Sequence, residues 1–148
     1  MSKTLSFKGI LDMGVQQKIN LATLNGKTGY KIKKFQLLSA SPGSIADVEF
    51  VCKIYSKTQT TFPATVDFTE SDLLGVAYYQ DDRGVSYPST IDIIFDNHVF
   101  NQNVSIYCED ANGGSVRCNY YIELETIALT DTQATQLTLK SLRNIASR

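Results

Sequence analysis

Up to about residue 126, alternation of apolar and polar residues at every second position dominates this chain. A period of two is the mark of a strand with one buried face. The alternation predicts strands over Thr4–Leu11, Gln16–Leu21, Tyr30–Ser39, Ala46–Tyr55, Gly75–Gln80, Thr90–Phe95, Asn103–Glu109 and Ser115–Ile127. Turn-forming residues stand between them: Asn25-Gly26, Ser41-Pro42-Gly43-Ser44, Asp81-Asp82-Arg83-Gly84 and Asn112-Gly113-Gly114. Short strands at this spacing point to an all-β chain, an antiparallel, jelly-roll-like β-sandwich of about eight strands, rather than a βαβ sheet. With 148 residues the chain fits one domain, and it is long enough to fold without a metal or disulfide staple.

The pattern changes at the C-terminus. Thr130-Asp131-Thr132-Gln133 matches a capping box, with Thr130 as N-cap and Gln133 three residues on. Beyond it Ala134, Leu137, Ser141, Leu142 and Ile145 fall on one helical face, with Leu139 to one side. Asp131 suits the positive end of the helix dipole, and Lys140 and Arg143 suit the other end. The chain therefore divides into a β-sandwich over 1–128 and a C-terminal α-helix or arm over 129–148. The helix either folds back on its own sheet or docks on a neighbouring subunit.

Residues 56–74 interrupt the alternation. Ser56–Thr61 is polar and rich in Thr, and Phe62-Pro63 forces extended backbone. Thr69–Leu74 suggests one helical turn with Thr69 as its cap. A connection this long is of the kind that crosses between sheets.

Val104, Ile106 and Cys108 share one strand face, and Val116, Cys118, Tyr120, Ile122 and Leu124 share another. If these strands form a hairpin, both sets are buried together only when opposed residue numbers add to an even value. A three-residue loop at Asn112-Gly113-Gly114 meets that condition and sets Cys108 opposite Cys118. These two are either reduced core thiols or a cross-strand disulfide formed after release. Cys52 is read as core. The odd count of three argues against a fully paired disulfide framework, and no C-x-x-C spacing points to zinc.

The chemistry of catalysis is thin. His98 is the single histidine, with no nucleophile elbow to accompany it. The acids Asp81-Asp82, Asp92, Asp96, Glu109-Asp110 and Glu123/Glu125 read as solvated turn or strand residues. Neither Asp81-Asp82 nor Asp110 with Asn112 has EF-hand spacing. There is no P-loop or dinucleotide fingerprint. No cofactor, no metal and no enzymatic activity are expected. Lys and Arg number 14 against 15 acids, so no nucleic-acid partner is expected. The cluster Lys27, Lys31, Lys33 and Lys34 reads as a solvated face or a subunit contact. No run of about 18 apolar residues predicts a membrane span, and the N-terminus lacks the apolar core of a signal peptide. Synthesis in a cytoplasm is the expectation.

Eight tyrosines and no tryptophan leave Tyr78-Tyr79, Tyr87 and Tyr120-Tyr121 as the aromatic cluster. In each adjacent pair one ring should face the core and the other solvent or a partner. They are ordinary sheet tyrosines, interface anchors, or a glycan platform. The candidate interface residues are Tyr78, Tyr79, Tyr87, Leu137, Leu139, Leu142 and Ile145.

Four segments carry a resemblance: Leu21–Ile32, Ile94–Asn103, Cys118–Glu125 and Thr135–Ile145. Together they resemble small virion structural proteins of tailed phages of marine or aquatic bacteria. The likeness spans most of the chain without a mechanistic motif, so no catalytic residue is carried over. It implies a small β-sandwich module of the particle, whether capsid cement or decoration protein, minor capsid protein or tail component, made in the host bacterial cytoplasm and resident in the virion; a capsid cement, decoration or minor capsid protein is the leading expectation. Its partners would be other virion proteins (the major capsid protein or a tail component) and further copies of itself. The alternative is a glycan-binding β-sandwich module of a tail or adhesion apparatus, which an exposed Tyr78 or Tyr87 beside a carboxylate-lined groove would favour.

Overall fold

A computed structural model describes residues 3–43, 47–81, 89–95 and 99–146, without the side chains of residues 89, 141 and 143–146. Its strands are β1 (Thr4–Leu11), β2 (Gln17–Ile19), β3 (Thr28–Ser39), β4 (Val48–Tyr55), β5 (Leu73–Asp81), β6 (Ser89–Ile94), β7 (Val104–Asp110) and β8 (Cys118–Ala128). Helix α1 follows over Asp131–Ala146. Every strand overlaps one that the alternation predicts, because burying one face of a strand enforces that period.

The strands form two antiparallel sheets, β1-β8-β3 and β2-β7-β4-β5-β6. The pairings of β1 with β8, β2 with β7 and β4 with β5 nest as in a jelly roll. Strand β6 stays on β5 and lies against β3 without pairing with it. The inner faces meet in one core that includes Leu11, Phe35, Phe50, Ile54, Ile106, Ile122 and Leu124, all essentially closed to solvent.

The sheets differ in their outer faces. The three-stranded sheet is solvated outside, where Lys33 and Lys34 pair with Glu125 and Glu123 at 3.5 and 3.7 Å. Its central strand β8 therefore alternates strictly between core and half-buried positions as far as Ile127. The five-stranded sheet carries a second apolar cluster outside, Val51, Tyr55, Leu73, Val76 and Tyr107. That is why β4 and β5 read as nearly continuous buried runs.

The excursion over 56–72 covers this second cluster. It does not cross between sheets as expected, because the strands it joins, β4 and β5, are neighbours in one sheet. Nor does Thr69 cap a helical turn. Asp67 Oδ1 instead accepts from both the backbone and hydroxyl of Thr69, at 2.9 and 2.6 Å, and the segment makes successive turns. Phe62 packs edge-on against Tyr107, which is what draws the segment onto the sheet.

The expected β7–β8 hairpin is also corrected. The two strands belong to different sheets, and the connection over 111–117 crosses between them. Val104, Ile106 and Cys108 still share a core with Cys118, Tyr120, Ile122 and Leu124, but face them from the opposite sheet.

Helix α1 begins as its capping box dictates. Gln133 N donates to Thr130 Oγ1 at 3.2 Å, and Thr130 N donates to Gln133 Oε1 at 3.0 Å. The buried amide of Asn101 donates to Gly26 O, Thr138 Oγ1 and Ala134 O at 3.0, 3.1 and 3.4 Å, tying the first half of the helix to the body. Lys27 and Asp131 add an exposed ion pair at 2.8 Å.

Candidate functional site

The outer face of the five-stranded sheet runs from the covered cluster to an open edge. At that edge Ile91 and Ile93 of β6 point away from the core and stand 56% and 40% exposed. They follow in register from Tyr78 and Val76 of β5. Phe68 of the excursion is 54% exposed and sits edge-on to Phe95, 5.3 Å between ring centroids. Among the described residues no strand pairs with the free side of β6. An open strand edge beside exposed apolar side chains is a template for protein contact.

Sequence reasoning missed this patch. Ile91 and Ile93 carried the alternation signal but were indistinguishable from core residues. Phe68 lies where the alternation fails.

The predicted interface residues are scattered. Tyr78 is half-buried at the border of the patch, and its hydroxyl donates to Glu49 Oε1 at 2.7 Å. Burial, with the Glu49 carboxylate as acceptor, pushes its pKa up to about 12. Tyr79 is a core residue stacked on Phe50, not a surface group, because it points to the opposite side of β5. Leu137 is half-buried, and Leu139 and Leu142 are exposed on the helix. Tyr87, His98 and the side chain of Ile145 lie outside the described residues.

Under the excursion, Lys53 is closed to solvent. Its ammonium donates to Thr65 O and lies 5.7 Å from the Tyr107 ring centroid. Desolvation lowers its pKa, opposed by the charges of Glu70 and Asp67. Tyr55 stacks on Tyr107 and donates to Glu70 Oε1 at 3.0 Å. Tyr107 donates to Pro63 O at 3.0 Å. This constellation fastens the excursion to the sheet.

A cleft of about 800 Å³ opens between the sheets beside β6, with Phe35, Leu37, Ala77, Thr90, Asp92 and Tyr120 in its walls. Among the described residues its lining holds one carboxylate, Asp92, together with Lys8, Thr90 and Tyr121. Asp110, another acid named from sequence, accepts Glu49 N and Asn112 N at 3.1 and 2.9 Å and acts as a buried turn anchor. Among the described residues no group of three His, Cys, Asp or Glu side chains is placed to hold a metal ion. No described helix is long and apolar enough to cross a membrane.

Compared with models of protein families the chain matches none, and no curated protein matches it.

Proposed function

We propose that this chain is a non-enzymatic virion structural protein, a capsid cement or minor capsid subunit that stabilises a particle through protein–protein contacts. The observation that carries the reading is the open β6 edge, with Ile91 and Ile93 exposed and Phe68 packed on Phe95 at the end of the strand. Leu139 and Leu142 offer a second apolar contact on the helix. Two separate patches suit a subunit that bridges neighbours in a symmetric array. Modest patches repeated over many copies gain strength from avidity. The glycan alternative gains nothing from Tyr78, whose hydroxyl is engaged by Glu49 and whose ring packs on the second cluster.

The test has two arms. Sedimentation of the purified chain should reveal an oligomer that Ile91→Lys with Ile93→Lys dissociates while the circular dichroism spectrum is kept. Quantitative mass spectrometry of purified phage particles should find the chain at a fixed ratio to the major capsid protein. A monomer at high concentration that is also absent from particles overturns the proposal.

A further inference from the structure

The dipeptide Asn-Gly occurs twice in the chain, at Asn25-Gly26 and Asn112-Gly113. Glycine has no Cβ, so its backbone nitrogen can approach the side chain of the asparagine before it. The fold gives the two pairs opposite surroundings.

Both occupy turns in which the glycine N donates to the carbonyl three residues back. Gly26 N reaches Thr23 O at 3.3 Å, and Gly113 N reaches Asp110 O at 2.9 Å. Beyond that bond they differ. Asn25 Oδ1 accepts from Lys27 N at 3.0 Å and from the Thr23 hydroxyl at 3.4 Å. Gly26 is buried, and its carbonyl accepts the Asn101 amide at 3.0 Å. A Cβ on Gly26 would stand 3.2 Å from Asn101 Nδ2 and 3.6 Å from Thr138 Oγ1. Asn112 lies in an exposed run from Ala111 to Ser115, and among the described residues no hydrogen bond holds its side-chain amide. A Cβ on Gly113 would meet nothing within 4 Å.

We propose that Asn112 is a deamidation site, that the fold protects Asn25, and that the product loosens the connection between the two sheets. The deprotonated nitrogen of Gly113 attacks Asn112 Cγ. The N–Cγ bond forms, the Cγ–Nδ2 bond breaks, and ammonia leaves with the proton that the nitrogen gave up. Water then adds to either carbonyl of the cyclic imide and opens it, leaving aspartate or isoaspartate at position 112. Ring closure requires the side chain and the following peptide to rotate toward each other. At Asn112 a local opening that breaks only the turn's own bonds to Asp110 is enough. At Asn25 the same rotation also breaks the bonds to Lys27 and Asn101 and moves Gly26 from its place beside Thr138.

The consequence follows from Asp110. Its Oδ1 accepts from both Asn112 N and Glu49 N, at 2.9 and 3.1 Å, and so pins the start of the 111–117 connection to β4. Isoaspartate adds a carbon to the main chain ahead of Gly113 and shifts Gly113 N away from Asp110 O. Either product sets a new carboxylate next to Asp110, a like charge beside a buried one.

The intact protein should be held in mildly alkaline buffer, beside the same chain unfolded in urea, sampled over days and mapped by mass spectrometry. Asn112 should convert to a mixture of isoaspartate and aspartate, with Asn25 slower by roughly tenfold or more because further hydrogen bonds must break first. In urea the two sites should react at similar rates. Asn101→Leu, which frees Gly26 O, should speed Asn25 and leave Asn112 unchanged. The converted protein should show faster amide exchange over 111–117 than the parent. The proposal is overturned by an Asn112 that stays intact while the unfolded chain reacts, by an Asn25 that reacts as fast in the folded chain, or by the same preference in urea. It is equally overturned by an Asn101→Leu variant in which Asn25 is no faster, or by unchanged exchange over 111–117 after conversion.

Discussion

The ammonium of Lys53 sits over the face of Tyr107, 5.7 Å from the ring centroid, with no path to solvent. A charge so placed is tolerated because the Thr65 carbonyl accepts from it and the aromatic face attracts it. The fold keeps it because a lysine stem covers apolar surface as a hydrocarbon does.

Lys53→Met keeps that stem and removes the charge. Its unfolding free energy at pH 7 should lie within ~1 kcal/mol of the parent or above it, since a hydrophobic replacement of a buried charge is often neutral or stabilising. Burial lowers the pKa of Lys53 from 10.5 in the folded chain, so the parent gains stability as pH rises toward 10.5. Urea titrations at pH 7 and 9.5 should show the gap closing. A loss above about 3 kcal/mol at pH 7 would mean that the ammonium is a bond the fold requires.

Tyr78 and Tyr107 are both pushed up to about 12. For Tyr78 burial acts first and Glu49 second; for Tyr107 burial is again the leading cause. A phenol that holds its proton more tightly when folded contributes stability below its unfolded value of 10.0, lost as pH climbs from 10 to 12. Absorbance at about 295 nm should show late-titrating tyrosines, coincident with alkaline unfolding. Glu49→Gln should bring one of them down part of the way, because burial remains.

Asn101→Leu removes three hydrogen bonds, two of which, to Ala134 O and Thr138 Oγ1, hold the helix to the body. The expected cost is ~1–3 kcal/mol, with faster amide exchange along α1 and little change in the sheets. Gln133→Ala, which opens one side of the capping box, should cost about 1 kcal/mol or less. Equal losses in the two variants would show that the helix is held by its cap and not by Asn101.

Gly9 makes room for a neighbouring ring. A Cβ there would meet Cε2 and the hydroxyl of Tyr120 at 2.8 Å, and that hydroxyl is tied to Gln17 at 3.3 Å. Gly9→Ala should destabilise by ~1–3 kcal/mol, as overpacking does. In a Tyr120→Leu background the same change should cost well under half as much. A purely additive double-mutant cycle would contradict the clash.

Strand positions and the capped helix were legible because each depends on a local period or a short motif, as Leu5 with Phe7 and Thr130 with Gln133 illustrate. The candidate contact surface was not. Ile91 and Tyr79 carry the same alternation signal, yet one is exposed and the other is core. Which side of a strand is covered depends on what is packed over it, and for β6 that is the reach of the 56–72 excursion.

The order of residue types alone determined an all-β chain with a terminal helix, because a half-buried strand must alternate and a helix start must satisfy its free amides. Only the tertiary structure decided that β7 and β8 lie in opposite sheets, that Cys108 stands opposite Cys52 rather than Cys118, and that Lys53 is shut beneath a loop. Burial of apolar surface has no direction, so a hairpin and a facing pair of sheets satisfy the same pattern equally well. The choice between them rests on backbone hydrogen bonds between residues far apart in the chain.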